Sequence, residues 1–138
     1  MSTKIDLSVR IGSAGFANPV TVASGTFGHS ERYYGLSEVR HLGAIIPKTI
    51  TLHAREGNPP PRIVETPAGM LNAIGIENPG VEVFVREKLP VLRRTGVPLI
   101  ISIMGNTEEE FVALARRLDA EPGIRSEERR VGKECRSR

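Results

Sequence analysis

Three short polar segments, each following an apolar run, hold the side chains best suited to chemistry. They are Ala23-Ser24-Gly25-Thr26, Lys48-Thr49 and the stretch from Ser102 to Asn106. Hydroxyl and carboxamide groups donate and accept hydrogen bonds, and a lysine ammonium supplies a fixed positive charge. Because barrel enzymes build their sites at the carboxyl ends of buried strands, these segments are candidates for ligand binding.

A further candidate is the loop TPAGMLNAIGIENPG at residues 66–80. Its glycines and prolines oppose a helix. Its isoleucines, leucine and methionine make it too apolar for an ordinary solvated loop. A stretch of this composition is typical of a segment that folds over a ligand and directs its backbone amides at it, and this is the role that we predict.

The residues around these candidates predict alternating strands and helices. Strands are predicted at residues 5–11, 20–23, 44–49 and 98–103, a small hairpin at 63–65 and 70–74, and helices at 30–42, at 79–94 and after an N-cap at 107. Residues 13–19 are expected to turn the first strand back as a hairpin. Val81, Val85, Leu89 and Leu92 mark the core face of the second helix, which Pro90 is expected to kink or split.

Continuous apolar strands that alternate with helices indicate a parallel sheet covered on both faces. An open doubly wound sheet and a (β/α)8 barrel both fit this order. The G-x-G-x-x-G pattern of dinucleotide folds is absent after the first strand, and the opening hairpin suits the end of a barrel. We therefore predict an α/β fold, with about three βα units from the N-terminal portion of a (β/α)8 barrel that is truncated, because a whole barrel needs about 250 residues.

The composition excludes several classes of protein. The 138 residues are 39% hydrophobic and 25% charged, which is ordinary for one globular domain. The net charge of +3 is carried by residues 125–138, so the rest of the chain has no basic surface for nucleic acid. No metal site is predicted, since the three histidines lack ligand spacing. No apolar run is long enough for a membrane span or signal peptide, and a cytoplasmic location is expected.

At this point the sequence resembles a known family. NPVTVASGTFG, the strand ending in Lys-Thr, GNPPPR and ETPAGMLNAIGIENPGV are similar, in this order, to the catalytic subunit of dihydroorotate dehydrogenase. The resemblance is to the NAD-reducing type 1B kind, and it runs from about residue 7 to residue 124. It implies an enzyme of pyrimidine (UMP) biosynthesis that uses FMN to oxidise dihydroorotate to orotate. It also implies an iron–sulfur/FAD electron-transfer subunit as partner, and homo-dimerisation of the full-length protein.

The resemblance also implies roles for particular residues. Those expected against FMN are Ala23, Ser24, Gly25, Lys48, Thr49 and Ser102. Those expected around the substrate are Lys48, Asn72, Ala73, Ile74, Gly75 and Ile76. Relatives of this type often carry asparagine where this chain has Ser102. The catalytic base of the family is a cysteine in an Asn-x-Ser-Cys-Pro-Asn-like loop beyond the fourth strand, and this chain has no such segment, so no catalytic residue is assigned and the chain alone is expected to be inactive.

The last fourteen residues, RSEERRVGKECRSR, change composition abruptly where a fourth core strand is due. This string resembles the translation of a common short-read sequencing adapter. We therefore expect residues 1–124 to form the partial barrel domain and residues 125–138 to be a non-native tail, against the alternative of a natural basic tail. Cys135 lies in this tail and is not expected to replace the missing base.

Two other functions stay open on the sequence. One is another flavin-barrel oxidoreductase acting on a different pyrimidine. The other is a small non-enzymatic α/β protein that binds an anion or a partner through the loop at residues 66–80. A partial barrel would also leave strand edges exposed, which predicts poor solubility of the isolated chain.

Overall fold

The computed structural model describes residues 5–27 and 37–129 of the chain. Its strands are β1 (Val9–Ile11), β2 (Ala14–Phe16), β3 (Ile63–Thr66), β4 (Gly69–Asn72), β5 (Leu99–Ile103) and β6 (Ile124–Arg129). Its helices are a 3-10 helix (Ser37–His41), α1 (Val81–Val83), a π-helical segment (Phe84–Lys88), α2 (Leu89–Arg93) and α3 (Glu108–Asp119). None of the helices in these ranges is long and apolar enough to cross a membrane.

The chain opens with the predicted hairpin. β1 and β2 pair antiparallel, with Val9 opposite Phe16, and the inward side chains Ala14 and Phe16 pack on Ala44. The strand is shorter than the alternation from Ile5 suggested, because pairing begins only at Val9.

The three predicted inner strands lie side by side and parallel. Thr21 pairs with Ala44 and Ile45 pairs with Leu99, so the order across the sheet is the segment at 20–24, the segment at 44–50, and then β5. The first two segments meet through one bridge, and the middle segment meets β5 through two, rather than through long ladders. Since parallel neighbours run the same way, their carboxyl ends lie at one edge, as the sequence predicted.

The middle segment carries a bulge around Pro47. Its bridges at Ile45 and Ile50 lie five residues apart, whereas their partners on β5, Leu99 and Ile103, lie four apart. One residue is therefore extra on this side of the pair. Proline has no N–H to give to a ladder, so a bulge is the place where an inner strand tolerates it.

The predicted helix at residues 79–94 is present, but it is not a uniform α-helix. The N–H of Leu89 donates to the carbonyl of Phe84, five residues back, which closes the π-helical segment immediately before Pro90. Proline clashes with the carbonyl four residues before it and cannot donate to it. The wider turn accommodates Pro90 at the first turn of α2 without a break in the helix.

The core face of this helix holds the four predicted residues and one more. Val81, Leu89 and Leu92 are buried, and Val85 is partly buried and packs against the same core. The prediction omitted the fully buried Phe84, because it assumed a constant α-helical period. A five-residue step between Phe84 and Leu89 puts both on one face, since a π turn holds more residues than an α turn.

The helix α3 begins as predicted. The hydroxyl of its N-cap, Thr107, accepts a hydrogen bond from the N–H of Glu110 (3.3 Å). In return the Glu110 carboxylate accepts from the N–H of Asn106 (2.6 Å). These two bonds satisfy backbone donors that a helix start leaves open. Leu114 and Leu118 then face the core.

The predicted helix at residues 30–42 is described only in part, because residues 28–36 lie outside the described ranges. The 3-10 helix Ser37–His41 covers its end, and Val39 packs in the core. The N–H of Gly43 then donates to the carbonyl of Val20 (2.8 Å), which starts the next parallel segment.

The backbone of β6 pairs parallel with β5 over residues 124–129. This strand includes the first residues of the string that the sequence assigned to a tail, and the rest of that string, residues 130–138, lies outside the described ranges. Backbone pairing at the open edge of β5 needs no particular side chains, so an extended polar segment can occupy it.

A network of ion pairs joins the helices on the outside. Arg117 donates to Glu82 (2.9 Å) and to Glu121 (2.8 Å), and Arg93 donates to the other oxygen of Glu121 (2.9 Å). Hydrogen bonds from Arg117 and then from Arg93 lower the pKa of the Glu121 carboxyl below its ordinary value. The ionised form of Glu121 is therefore the form that stabilises the fold.

This shift predicts an acid-dependent loss of stability. A carboxyl group whose pKa is lowered in the folded state stabilises the fold above the ordinary glutamate pKa of about 4.3. This stabilisation is lost as the pH falls through the folded-state pKa. We expect Glu121→Gln to flatten the loss of unfolding free energy between about pH 5 and pH 3, measured by urea denaturation. Glu65→Gln, on the exposed strand β3, is the control. If the unfolding free energy of Glu121→Gln still fell steeply at acid pH, the stabilising role of ionised Glu121 would be contradicted.

Candidate functional site

Hydroxyl groups from the ends of three parallel strands form one hydrogen-bonded chain. Ser24 Oγ lies 3.1 Å from Thr49 Oγ1, and Thr49 Oγ1 lies 2.9 Å from Ser102 Oγ. Ser24 Oγ also donates to the carbonyl of Pro47 (3.1 Å). Thr49 and Ser102 are buried, and Ser24 is partly so. The structure thus brings together three of the predicted cofactor-site residues that lie far apart in the sequence.

The bulge explains why Ser24 can take this position. The carbonyl of Pro47 lies in the bulge between the two bridges, where it needs a partner from outside the ladder. The Ser24 hydroxyl supplies that partner. If Ser24 donates to Pro47, then Thr49 donates to Ser24 and Ser102 donates to Thr49. Each of the three protons then has an acceptor.

Ala23 and Gly25 flank this chain on the first strand segment. The carbonyl of Ala23 accepts hydrogen bonds from the N–H and the hydroxyl of Thr26 (3.1 and 2.6 Å), which closes a tight turn. Gly25 has a φ of 87°, in the left-handed region, and a Cβ added there would meet no atom within 4 Å. Small residues beside open space are what a bulky planar ligand needs at its face.

Lys48 lies in the bulge, between Pro47 and Thr49. Its side chain is partly buried. Bulges occur next to active sites because they change the direction of a side chain relative to a regular strand. Lys48 therefore places a positive charge at the carboxyl edge of the sheet, one residue from the hydroxyl chain.

The candidate loop starts from the predicted hairpin. β3 and β4 pair antiparallel, with Ile63 opposite Asn72, which confirms that hairpin. Asn72 ends β4, and its side-chain oxygen accepts from the N–H of Ile74 (3.1 Å). Asn72 and Ala73 are exposed, whereas Ile74, Gly75 and Ile76 are partly buried.

The segment GNPPPR holds one side of this loop. The side-chain nitrogen of Asn58 donates to the carbonyl of Ala73 (2.8 Å), and its backbone N–H donates to the carbonyl of Ile74 (3.0 Å). A Cβ on Gly75 would lie 2.7 Å from the backbone nitrogen of Asn58, and Gly75 also has a φ of 78°. Only glycine permits this approach.

Arg62 closes the same segment from its other end. Its guanidinium pairs with the carboxylate of Glu77 and donates to the carbonyl of Glu56 (2.8 Å). GNPPPR carries part of the family resemblance, but the sequence alone predicted no role for Asn58 or Arg62. The sequence feature that could have pointed to these two residues is a polar motif that does not suit the core and that precedes an apolar loop.

Asn78 holds the other side of the loop. It is buried, and its side-chain oxygen accepts from the N–H of Thr51 (3.2 Å) and from that of Gly80 (2.9 Å). Its side-chain nitrogen donates to the carbonyl of Ile76 (2.9 Å). Thr51 lies two residues beyond Thr49, so this network ties the loop to the strand end that carries the hydroxyl chain. Sequence reasoning missed Asn78 and Thr51 as well.

Comparison with known proteins identifies the family. The model of the family described as dihydroorotate dehydrogenase matches residues 6–124. The chain belongs to the dihydroorotate dehydrogenase family. This is a family of enzymes, and the predicted family is confirmed.

Two curated relatives carry the same printed name. The chain is 52% identical over 121 residues to a protein of Desulforudis audaxviator named dihydroorotate dehydrogenase B (NAD(+)), catalytic subunit. The alignment covers 88% of this chain and 39% of that relative. The protein of the same name from Geobacter sulfurreducens is 49% identical over 121 residues, covering 88% of this chain and 40% of the relative. The chain thus spans about two fifths of the length of these relatives.

A solved structure supports the fold. The dihydroorotate dehydrogenase of Eimeria tenella, in complex with ferulenol, aligns with a TM-score of 0.59 at 22% identity. The alignment covers 81% of this chain and 33% of that one. The predicted α/β fold, part of a (β/α)8 barrel, is therefore confirmed.

The hydroxyl chain predicts that removal of its central hydroxyl group, that of Thr49, lowers the unfolding free energy. Thr49→Val keeps the shape and removes the hydroxyl, which leaves Ser102 Oγ buried without its partner. We expect a loss of about 1–3 kcal/mol in unfolding free energy, the cost of an unsatisfied buried polar group. Thr49→Ser, which keeps the hydroxyl, is expected to lose less. Equal losses of unfolding free energy in the two variants, measured by urea denaturation, would contradict the proposed chain of hydrogen-bonded hydroxyl groups.

Proposed function

We propose that this chain is the N-terminal portion of the catalytic subunit of an FMN-dependent dihydroorotate dehydrogenase, which oxidises dihydroorotate to orotate. The observation that carries the proposal is the hydroxyl chain of Ser24, Thr49 and Ser102 at the sheet edge, beside Lys48. The printed names of the relatives supply the reaction. The reaction belongs to pyrimidine biosynthesis, and we place the protein in the cytoplasm.

The described residues fit FMN at this edge. The residues proposed to hold it are Ala23, Ser24, Gly25, Lys48, Thr49 and Ser102. Gly25 faces open space, so the isoalloxazine ring can lie against the backbone there. When bound, FMN supplies the two-electron acceptor that no protein side chain provides. The hydroxyl protons of Ser24, Thr49 and Ser102 bond within the chain described above, so these residues would offer lone pairs to donors of the ring, with Ser102 at the position where relatives often carry asparagine.

The loop would cover the substrate. The residues proposed to contact it are Lys48, Asn72, Ala73, Ile74, Gly75 and Ile76. A carboxamide oxygen accepts two hydrogen bonds, so Asn72, which already accepts one from Ile74, can still accept a second and donate from its nitrogen. The partly buried Ile74 and Ile76 would exclude water from the ring.

Lys48 would serve both ligands. Orotate and dihydroorotate carry a carboxylate, and the ammonium group would bind it. The same charge would stabilise the negative charge that develops as the substrate is oxidised. The bulge supports this role, because the pairing of Ile45 and Ile50 on either side of Lys48 is kept.

The proton that leaves the substrate needs a base that this chain does not provide in the family's sequence context. In the family that this sequence resembles, a cysteine beyond the fourth strand takes the proton from C5 of dihydroorotate while hydride leaves C6. We propose that this base lies in a C-terminal part that follows residue 124 in the full-length protein. This chain alone is therefore proposed to be inactive.

We further propose that the full-length protein passes its electrons to NAD through an iron–sulfur/FAD subunit and forms a homodimer. The words "B (NAD(+)), catalytic subunit" in the relatives' names support the acceptor and a second subunit. The alternative function is oxidation of another pyrimidine by the same kind of barrel. The two functions differ in which substrate the protein oxidises.

Residues 125–138 are proposed to be non-native, and residues 1–124 to be the partial barrel domain. An inner strand of a parallel sheet is normally a continuous apolar run, whereas β6 reads IRSEER. The match to the family also ends at residue 124. Long-read sequencing of the source DNA across codons 124 and 125 tests this. A frame that continues into an apolar strand and an Asn-x-Ser-Cys-Pro-Asn-like loop supports it, and a gene that encodes RSEERRVGKECRSR contradicts it.

The function is tested on the longer gene product. We expect the purified protein to carry FMN and to lose its visible flavin absorption when dihydroorotate is added without oxygen. NAD reduction is expected only when the electron-transfer subunit is present. Bound flavin that dihydroorotate does not reduce would refute the function, and reduction by another dihydropyrimidine alone would favour the alternative.

Lys48 gives the second prediction for the longer gene product. We expect Lys48→Ala to lower the rate of flavin reduction about 10²–10³-fold, the typical loss for one preorganised electrostatic group. The control is Lys88→Ala, a lysine in the π-helical segment. A rate in Lys48→Ala equal to that of the control would show that Lys48 has no part in the reaction.

A further inference from the structure

The candidate loop contains one residue in an unusual backbone conformation. Ile76 has a φ of 55°, in the left-handed region, although it is not a glycine. For a β-branched residue this conformation is a genuine outlier, because Cβ crowds the following carbonyl. Such strain persists only where the surrounding contacts hold it. The contacts that hold Ile76 therefore determine the shape of the loop.

Asn78 provides the contact that acts directly on Ile76. Its side-chain nitrogen donates to the carbonyl of Ile76 (2.9 Å) and to the hydroxyl of Thr51 (2.9 Å). The Thr51 hydroxyl donates in turn to the carbonyl of His53 (2.6 Å), so it is an acceptor toward Asn78. The Asn78 backbone also exchanges two hydrogen bonds with Arg55 (2.9 and 3.0 Å).

The orientation of the Asn78 carboxamide is fixed by these partners. Its oxygen accepts from two backbone donors, those of Thr51 and Gly80, so the oxygen must face them. The nitrogen then faces the carbonyl of Ile76. A carboxylate in the same place would keep the first two bonds and would set an oxygen against the Ile76 carbonyl.

We propose that Asn78 is a positioning residue that holds Ile76 in its left-handed conformation and so keeps the loop at residues 72–76 preformed for the substrate. This inference rests on the proposed function, because that function supplies the substrate. Asn58 fixes the carbonyls of Ala73 and Ile74 on one side of the turn. Asn78 fixes the carbonyl of Ile76 on the other, so the turn at Gly75 and Ile76 is clamped between two asparagines.

A preformed loop binds more tightly than one that must be ordered on binding. If only a fraction of molecules has the competent loop, the apparent affinity falls by that fraction. Loss of the Asn78 clamp would therefore raise KM for dihydroorotate with little change in kcat once substrate is bound. A residue that only stabilised the fold would not separate these two constants.

The main test is Asn78→Asp in the longer gene product. The matched control is Asn18→Asp. Asn18 likewise donates to a carbonyl, that of His41 (2.8 Å), and accepts from a backbone N–H, that of Val20 (2.9 Å), but it lies away from the loop. We expect Asn78→Asp to raise KM for dihydroorotate about tenfold or more, with kcat within about threefold, and Asn18→Asp to change neither.

Hydrogen exchange provides a readout that does not depend on turnover. We expect the amides of residues 74–76 to exchange at least about tenfold faster in Asn78→Asp than in Asn18→Asp. Equal exchange in the two variants would overturn the proposal, and so would faster exchange with an unchanged KM. If the wild type does not oxidise dihydroorotate at all, the proposed function fails, and the exchange result alone then decides whether Asn78 positions the loop.

The double variant Ile76→Gly with Asn78→Asp separates the clamp from the burial of a charge. Glycine adopts the left-handed conformation without strain, so it should recover much of the loop order that Asn78→Asp loses. If Asn78→Asp alone fails to fold, recovery of folded protein in the double variant supports the clamp. Equal failure of both variants would overturn it.

Discussion

The bulge at Pro47 is the constraint on which the rest of the site depends. A regular strand would place every residue of the segment at 44–50 in one ladder with β5, and proline cannot complete such a ladder. The extra residue resolves this conflict. It leaves the Pro47 carbonyl to the Ser24 hydroxyl, and pairing resumes at Ile50, beside Ser102. The hydroxyl chain and the position of Lys48 both follow from that single irregularity.

The proposed site has two halves that are built differently. The half at the sheet edge is held by parallel strands and a buried core, and its hydroxyls satisfy one another. The loop half contains little regular structure, so its order comes from side-chain amides that bind backbone carbonyls. Thr51 and Asn78 join the halves, because Thr51 belongs to the strand segment and Asn78 to the end of the loop. These hydrogen bonds connect the loop to the strand segment that carries Lys48.

The sequence predicted the parts that follow from local pattern. Apolar runs followed by polar residues located the strand ends, and the order of the runs placed Ser24, Thr49 and Ser102 at one edge. Turn residues and alternation located both hairpins. The N-cap at Thr107 was also predicted from the sequence.

The sequence did not predict features that depend on partners distant along the chain. Asn58 and Asn78 act through bonds to backbone carbonyls, which no side-chain pattern records. The burial of Phe84, which is deeper than that of Val85, depends on a local change of helical period. The pairing of β6 is made through the backbone along the edge of β5, which a side-chain pattern does not record. In each case a long-range or backbone interaction outweighed the local preference.

The π-helical segment has a consequence for how this helix can change over evolution. A turn of this kind is what a helix forms when it takes in one additional residue and keeps the residues on both sides facing as before. Val81 and Phe84 before the widest part of the turn, and Leu89 and Leu92 after it, are all buried. Deleting a single residue within 84–88 is therefore expected to restore a plain α-helix whose flanking residues still face the core. The helix can thus lose one residue at this segment while the core on either side of it stays in place.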